Sequence, residues 1–260
     1  MAQDAWNPAQ YERFAAERRQ PFEDLCALIE PAPDMRVIDL GCGTGELTAV
    51  LHAKLGARDT LGLERSAKML ARSPSFGRPG LRFEPGDIAQ FRADAAWDVV
   101  FSNAALQWLP GHEQLLARLT RALAPGGQLA VQVPANFDHP SHVVAGEVAA
   151  EEPFASALAD PPRTAAVLAP EQYAALLDDL GFARQSVRLQ VYGHHLDRRD
   201  DVVEWVRGTM LTAYETALPA DLFTVFLERY RARLLPRLRD TQPFFYPFKR
   251  ILLWARRAEA

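Results

Sequence analysis

The run VIDLGCGTGELTAVL, from Val37 to Leu51, places an apolar strand, a glycine-rich turn and the start of a helix in direct succession. Strand-like and helix-like segments alternate from there to Pro134, which is typical of a parallel sheet with helices on both faces. In many α/β proteins such a turn cradles a nucleotide-like cofactor, because backbone amides and a helix N-terminus face the ligand. The run therefore predicts an α/β, Rossmann-like doubly wound fold with a cofactor at this turn.

The strands are short apolar segments bounded by turn residues. Residues 8–30 carry a helical pattern, and almost everything from Asp200 to Arg239 also reads as helical. A helical insertion between the last two strands is therefore expected. The predicted strands, in chain order, are RVIDL, DTLGLE, LRFEPGD, WDVVFSN, QLAVQVP, QSVRLQVYGHHL and KRILLWARR.

Composition narrows the partners and the cellular setting. The net charge is −4 without a basic run, which argues against nucleic acid as the main partner. Cys26 and Cys42 are too few for a disulfide framework, and no His or Cys cluster has metal-ligand spacing. The polar N-terminal segment lacks a signal-peptide pattern, and no apolar run approaches the roughly 18 residues of a membrane span. These features predict a cytoplasmic protein without a metal or membrane partner and leave the oligomeric state open, a monomer included.

The residues of the glycine turn distinguish between two cofactor classes. A dinucleotide turn has the spacing Gly-x-Gly-x-x-Gly/Ala, whereas this chain reads GCGTG from Gly41, with Glu46 in the sixth position. Asp39 before the glycines and Glu46 after them repel a pyrophosphate but suit a ligand that carries an ammonium and a sulfonium. The turn, with Gly41 and Gly43 as backbone contacts, therefore predicts S-adenosylmethionine rather than a nicotinamide dinucleotide.

Two further acids follow predicted strands. Glu64 ends the second strand, where an acid can accept hydrogen bonds from both ribose hydroxyls, and its neighbour Arg65 is included among the cofactor contacts. Asp87 follows the third strand in the stretch PGDI; its carboxylate is predicted to accept from the adenine amino group while the Ile88 amide donates to the ring. Because the carboxyl ends of parallel strands meet at one edge, these residues are expected to lie beside Asp39.

The motifs DLGCGTGE, GLE, PGDI, DVVFSNAALQW and LAPGG resemble those of the class I S-adenosylmethionine-dependent methyltransferases over residues 35–135. The segments WNPAQYERFAAERRQP, SNAALQWLPGH, VQVPANFDHPSH and YPFKRILLWARR resemble the trans-aconitate methyltransferase family over most of the chain. The resemblance implies a seven-stranded mixed sheet whose last strand is antiparallel. It also implies methyl transfer from S-adenosyl-L-methionine to a carboxylate of trans-aconitate, which gives a methyl ester and S-adenosyl-L-homocysteine.

The resemblance also assigns residues and parts of the chain. Trp6, Tyr11 and Arg18 are expected near the cofactor under an N-terminal helix, and Asn103 and Gln107 beside its methionine moiety. The expected single domain, 1–260, has a helical cover at 1–30, a cofactor-binding core at 31–135, the rest of the core sheet at 136–199 and 246–260, and a helical insertion over the acceptor pocket at 200–245.

The expected chemistry needs alignment rather than proton transfer. A carboxylate is ionised at neutral pH, so no catalytic acid or base is predicted. Cationic and hydroxyl donors are expected to hold the acid, and His194 and His195 point to opposite faces of a strand, so at most one of them can do so. The predicted substrate-binding residues are Trp108, His142, His195, Arg207 and Tyr246; further candidates are Arg19, His112, His139, Tyr214, Arg233 and Lys249.

One departure from the family pattern concerns the acceptor. The family usually has Gly-Leu-Arg-Pro and an aromatic residue in the insertion, whereas this chain has Thr212 and Ala213 in place of Arg and Pro. A missing arginine removes a charge-assisted contact worth roughly 1.5–3 kcal/mol. Either the nearby Arg207 takes its place or the acceptor differs. The departure concerns the acceptor and leaves the cofactor assignment untouched. Three alternatives to the expected reaction stay open: a methyltransferase of a phenolic, quinone-type or natural-product acceptor, an NAD-dependent oxidoreductase, and a module that binds the cofactor without turnover.

Overall fold

The computed structural model describes residues 15–158 and 167–259. The strands are β1 (Arg36–Leu40), β2 (Asp59–Glu64), β3 (Leu81–Pro85), β4 (Trp97–Asn103), β5 (Leu123–Pro134), β6 (Arg184–Leu196) and β7 (Phe244–Arg256). The helices are α1 (Ala15–Cys26), α2 (Glu46–Leu55), α3 (Ala67–Leu70), α4 (His112–Ala122), α5 (Pro140–Ala149), α6 (Phe154–Leu158), α7 (Pro170–Asp179), α8 (Asp201–Arg207), α9 (Leu211–Ala217) and α10 (Ala220–Leu234). Short 3-10 turns lie at Ser73–Phe76, Leu106–Trp108 and Leu235–Arg237.

The seven strands form one mixed sheet in the order β3-β2-β1-β4-β5-β7-β6. Val37 of β1 lies opposite Thr60 of β2 and Val99 of β4, and these pairs are parallel. β7 runs antiparallel to β5, with Gln128 opposite Arg256. The predicted doubly wound sheet with an antiparallel last strand is therefore confirmed. The order reverses between β1 and β4, which marks the carboxyl ends of these strands as the ligand-binding edge.

The described residues divide into two compact units. The sheet unit comprises residues 16–135, 167–190 and 250–259, and the helical unit comprises 136–158 and 191–249. In the sheet unit, Ile38, Val100 and Leu129 are among the fully buried side chains of the core. The helical unit has its own core, in which Trp205 and Phe226 are buried.

This division differs from the predicted parts of the chain. The sequence assigned 136–199 to the core sheet, whereas the structure groups 136–158 and 191–199 with the insertion helices. The reason is packing of α5 against α10, where the Tyr230 hydroxyl donates to the Ser141 carbonyl oxygen at 2.8 Å.

Most predicted element bounds are close to those observed, and the fifth and seventh strands are longer than expected. β5 begins at Leu123, so the APGG stretch lies inside the strand, where Leu123 pairs with Trp97 across an irregularity in β4. β7 begins at Phe244 rather than Lys249, and alternate residues from Phe244 to Phe248 are buried, which is a strand period. Among the described helices, none combines the length and apolarity needed to span a membrane.

Candidate functional site

The glycine turn lies at the carboxyl end of β1 and leaves no room for side chains. Gly41 and Gly45 both have φ of 83°, a left-handed conformation that favours glycine. A Cβ on Gly41 would lie 2.4 Å from Ala105 Cβ, and one on Gly45 would lie 2.7 Å from the Phe83 ring. The turn therefore brings its bare backbone against Ala105, which follows β4, and against Phe83 of β3.

Asp39, the last polar residue of β1, lies beneath the turn and not on its surface. Its side chain is buried and accepts a hydrogen bond from Thr48 Oγ1 at 2.6 Å. Burial raises the pKa of Asp39 to about 7, although the Thr48 hydrogen bond lowers it and the Glu64 charge raises it further. A cation bound nearby would favour the ionised form of this carboxylate. The exposed Glu46 begins α2 on the other side of the turn.

Glu64 connects the ends of β1 and β2. Its Oε2 accepts from the Gly43 amide at 3.0 Å and its Oε1 from the Ser66 amide at 2.7 Å. Each carboxylate oxygen has a further lone pair that can accept from a ligand hydroxyl. Arg65 is exposed beside it. The predicted N-cap role of Ser66 is confirmed, since its hydroxyl oxygen accepts from the Met69 amide at 3.2 Å.

The segment after β3 lies against the same turn. Ile88 Cδ1 is 3.5 Å from the position that a Cβ on Gly41 would occupy. Asp87 Oδ1 accepts from the Ala89 amide at 2.8 Å, which is an Asx turn. One Asp87 oxygen therefore stabilises the local turn.

The segment after β4 carries two buried carbonyl oxygens without donors. Asn103 Oδ1 and Gln107 Oε1 have no hydrogen-bond partner among the residues that the structure describes. Gln107 Nε2 donates to the Ala104 carbonyl at 2.7 Å, so its oxygen is directed elsewhere. Because buried polar groups are usually satisfied, two open acceptors at the ligand-binding edge fit an ammonium donor of a bound ligand. The two open oxygens therefore fit S-adenosylmethionine, whose methionine end carries an ammonium group.

His112 and Tyr173 stabilise this segment from below. His112 is buried; its Nε2–H donates to the Leu106 carbonyl at 3.0 Å, and its Nδ1 accepts from the Tyr173 hydroxyl at 2.5 Å. Burial lowers the His112 pKa, which keeps the ring neutral as this arrangement requires. The sequence offers His112 as a further candidate donor to the acceptor acid, but both its ring nitrogens form hydrogen bonds within the protein. The sequence around His112 does not indicate its partner Tyr173, which lies 61 residues later in the chain.

In the helical unit, Ser141 is at the centre of a polar cluster. The Ser141 amide donates to His139 Nδ1 at 3.1 Å, so that nitrogen carries no proton. The Ser141 hydroxyl, 2.9 Å from the same nitrogen, must therefore donate to it, and His142 Nδ1, 3.1 Å away, donates to the hydroxyl oxygen. Tyr246 lies 3.2 Å from Ser141 Oγ. Burial lowers the pKa values of His139 and His142 to about 4, so both rings are neutral.

The remaining predicted substrate-binding residues lie near the surface of their units. Trp108 is exposed in the segment after β4. His195 is exposed next to Phe245, whereas its neighbour His194 is buried against Trp205, so the two rings face opposite sides as expected. Arg207 is 3.9 Å from Glu215. Trp6, Tyr11 and the Arg18 side chain lie outside the described residues, and the roles of the predicted site residues stay predictions.

Comparison with curated proteins identifies the family. A trans-aconitate 2-methyltransferase from Deinococcus radiodurans is 42% identical over 258 residues, covering 98% of this chain and 99% of the relative. The chain belongs to the trans-aconitate 2-methyltransferase family. A second member, from Methylobacterium nodulans, is 42% identical over 256 residues, covering 97% of this chain and 98% of the relative. A family model described as a methyltransferase domain matches residues 37–127. The predicted family and cofactor class are confirmed, and the protein is an S-adenosylmethionine-dependent methyltransferase.

Solved structures support the methyltransferase fold at low sequence identity. The YcgJ protein from Bacillus subtilis matches with a TM-score of 0.63 at 16% identity, covering 93% of this chain and 100% of that chain. Phosphoethanolamine N-methyltransferase 2 from Haemonchus contortus, solved in complex with S-adenosyl-L-methionine, matches with a TM-score of 0.55 at 16% identity. It covers 93% of this chain and 53% of that chain. These likenesses concern the fold.

At the position where the methyltransferase family usually has arginine, the structure shows a local hydrogen bond. Thr212 lies near the start of α9 and its hydroxyl donates to the Thr209 carbonyl at 2.5 Å. This hydroxyl is engaged within its own turn and supplies no positive charge. The replacement of the family's usual arginine by Thr212 therefore leaves a neutral side chain at this position of the helical unit.

Proposed function

We propose that this methyltransferase esterifies a carboxylate of a small polycarboxylic acid, with trans-aconitate as its acceptor. The observation that carries the proposal is the identity of 42% to two trans-aconitate 2-methyltransferases over almost the full length of each protein. The acid-lined glycine turn and the open oxygens of Asn103 and Gln107 support the cofactor part of the proposal. The partner is a small molecule and the product is a methyl ester.

The residues present suit a reaction without proton transfer. A carboxylic acid with an ordinary pKa near 4 is ionised at neutral pH, so the enzyme needs no general base. When bound, the cofactor would supply a methyl group on a sulfonium: the carboxylate oxygen would bond to the methyl carbon in line with the sulfur, and S-adenosylhomocysteine would leave as the neutral thioether. Glu64 accepts ligand hydroxyls, Asn103 and Gln107 accept from the ammonium, and the burial of the Asn103 and Gln107 oxygens excludes water from them.

A different acceptor is the second candidate, because Thr212 replaces the family's usual arginine. A phenolic acceptor has a pKa of about 10 and needs a base to remove its proton. His139 and His142 have pKa values of about 4, which makes them weak bases at neutral pH. A nicotinamide dinucleotide fits less well, since its pyrophosphate would lie against the acids of the glycine turn. The carboxylate acceptor therefore agrees best with the charges of the described residues.

The experiment that tests the proposal is a mass-spectrometric assay. The protein is incubated with S-adenosylmethionine and, separately, with trans-aconitate, cis-aconitate, citrate and isocitrate. A product one methyl group heavier from trans-aconitate, removed by mild base, is the expected result. No methylation of any acid, with tight cofactor binding in a parallel titration, contradicts the acceptor and leaves the cofactor assignment standing.

A further inference from the structure

The carboxyl edge of the sheet unit is divided into two halves of opposite chemistry. The turns after β1, β2 and β3 carry Asp39, Glu64 and Asp87. On the other side of β4, the end of β5 carries Gln132, and β7 carries the buried cation of Arg250. Because β7 is antiparallel to β5, Arg250 lies opposite Pro134, the last residue of β5, and therefore at the same edge. The acidic half suits the cationic cofactor, and the half with donors suits an anion.

Gln132 has a buried donor without an acceptor. Its side chain is fully buried, and its Nε2 has no partner within residues 15–158 and 167–259. Its Oε1 accepts from Arg250 Nη1 at 3.3 Å. A guanidinium can only donate, so this contact fixes which end of the amide is the oxygen and directs the NH2 group away from Arg250. Arg250 thus acts as a positioning residue for the Gln132 amide.

The place of Gln132 in the sheet brings this donor to the candidate site. Gln132 is the register partner of Asn103 on the neighbouring parallel strand, so the two side chains share one face. Its backbone carbonyl also accepts from the Ala104 amide at 2.9 Å, in the segment that carries Gln107. An open donor therefore lies beside the open acceptors of Asn103 and Gln107. The donor is one strand farther from the glycine turn.

We infer that Gln132 binds a carboxylate of the acceptor acid through Nε2 and so contributes to acceptor specificity. The inference rests on the proposed function, because it takes the acceptor to be an acid. An amide donor in a dry site discriminates strongly between a carboxylate, which accepts its hydrogen bond, and an apolar group, which leaves it unsatisfied. The same hydrogen bond could go to the carboxylate of the cofactor's methionine end, and the experiment separates the two sources.

The test uses three variants of the full chain. Gln132→Glu keeps an acceptor for Arg250 and replaces the donor by a negative oxygen. Gln132→Met removes both polar groups at similar volume. Gln128→Met is the matched control: Gln128 is buried on the same strand, but its Oε1 accepts from the Glu30 amide and Trp254 Nε1, and its Nε2 donates to the Glu30 carbonyl. Thermal midpoints establish that each variant folds.

Two dissociation constants are measured by calorimetry, so that no turnover is required. The first is for S-adenosylhomocysteine alone, and the second is for trans-aconitate with the protein saturated by S-adenosylhomocysteine. We expect Gln132→Met to weaken trans-aconitate binding by about 10- to 100-fold with the S-adenosylhomocysteine constant unchanged, and Gln132→Glu to weaken acid binding by more without weakening S-adenosylhomocysteine. Gln128→Met lowers the thermal midpoint without weakening the binding of the acid.

If Gln132→Glu folds and binds trans-aconitate with the same dissociation constant as the wild type, the inference is overturned. Weaker binding of S-adenosylhomocysteine with unchanged acid binding also overturns it, because it assigns the donor to the cofactor's carboxylate. If the wild-type protein does not bind trans-aconitate, the proposed acceptor fails, and cis-aconitate, citrate and isocitrate are titrated in the same way. An acid that binds the wild type and not Gln132→Glu then supports the inference independently, whereas no binding of any acid overturns both.

Discussion

Two glutamines of β5, Gln128 and Gln132, are in opposite hydrogen-bonding states. Gln128, near the amino end of the parallel strands, has its amide oxygen and nitrogen bonded to Glu30 and Trp254. Gln132, four residues and so two strand periods further along the same face, has an amide nitrogen without a described partner. Both side chains are buried. The difference shows that burial alone does not explain the open donor; its position at the carboxyl edge does.

Other polar groups follow the same division. At the amino edge, Asp98 accepts from the amide and the guanidinium of Arg36, at 2.8 to 3.1 Å. At the carboxyl edge, Asn103 Oδ1 and Gln107 Oε1 lack donors among the described residues. Leaving a buried polar group unsatisfied costs about 1–3 kcal/mol. Proteins tolerate that cost where a ligand supplies the missing partner, so the bonded groups of the amino edge suit stability and the open groups of the carboxyl edge suit the proposed binding.

The largest expected effect comes from filling the space at the carboxyl edge. Gly41→Ala places a methyl group 2.4 Å from Ala105 Cβ in a left-handed conformation, and we expect it to lower the free energy of unfolding by about 3 kcal/mol or more and to abolish cofactor binding. Gly56→Ala is the control at the other end of α2, since Gly56 is also left-handed but has nothing within 4 Å. It should cost about 1–2 kcal/mol. Urea denaturation and S-adenosylhomocysteine calorimetry measure both; equal effects would contradict the steric argument.

Asp39 and Asp98 should respond to pH in opposite directions. Burial raises the Asp39 pKa to about 7, so the folded protein holds a proton there that the unfolded chain releases above about pH 4. This contribution to stability is present below pH 4 and is lost as pH rises through 7. Relative to Asp39→Asn, the wild type without ligand should lose roughly 3 kcal/mol of unfolding free energy between pH 5 and 8.

The contribution of Asp98 to the free energy of unfolding should change with pH in the opposite direction. Burial alone would raise its pKa, but the hydrogen bonds from Arg36 outweigh burial and lower it. Its contribution is present above the unfolded pKa and is lost as pH falls through the folded pKa. Urea denaturation of Asp39→Asn, Asp98→Asn and the wild type across pH 3–8 compares them. Parallel curves for the wild type and Asp39→Asn would refute the raised pKa of Asp39.

The sequence predicts those parts of the site that local chemistry determines. A strand followed by closely spaced glycines has few alternatives, and the bounds of β1, α2, β2 and β4 agree with the predicted segments. Glu64 could be placed because it ends a strand that pairs with β1, and the structure bonds it to the Gly43 amide. Short-range patterns also predicted the Ser66 cap.

Contacts between distant segments could not be predicted in this way. Gln132 gave no signal of its own, since an amide in an apolar strand does not reveal that Arg250 fixes its orientation from 118 residues away. The same holds for His112 and Tyr173. Nor does the sequence show that Asp39 is buried under the turn, where it accepts a hydrogen bond from Thr48 in the next helix. These features arise from tertiary packing, which residue spacing does not encode.

A smaller effect is expected where the carboxyl edge is supported from within the core. Tyr173→Phe removes the hydrogen bond to His112 Nδ1, which should cost about 1 kcal/mol of unfolding free energy and weaken S-adenosylhomocysteine binding several-fold. The second effect follows because His112 holds the Leu106 carbonyl beside Gln107. Tyr214→Phe, in the core of the helical unit, is the control, and calorimetry should show no change in cofactor binding. If cofactor binding is weaker in Tyr214→Phe and unchanged in Tyr173→Phe, the Tyr173–His112 hydrogen bond does not support the cofactor site.

The smallest expected effect concerns the pH dependence of kcat/KM, in which we expect no histidine to titrate. Burial lowers the pKa values of His139 and His142 to about 4, so neither ring changes its charge between pH 6 and 8, and a carboxylate acceptor stays ionised throughout. At saturating S-adenosylmethionine, whose positive charge keeps Asp39 ionised, the kcat/KM for trans-aconitate should therefore show no inflection near pH 6.5 in the wild type. His142→Asn should leave kcat/KM nearly constant across this range, since the Asn amide nitrogen takes the place of Nδ1 as a donor to Ser141 and no base is removed. An inflection near pH 6.5 that disappears in His142→Asn would show that the ring titrates during turnover, and the phenolic acceptors that require a base would then replace the carboxylic acids as the substrates to examine.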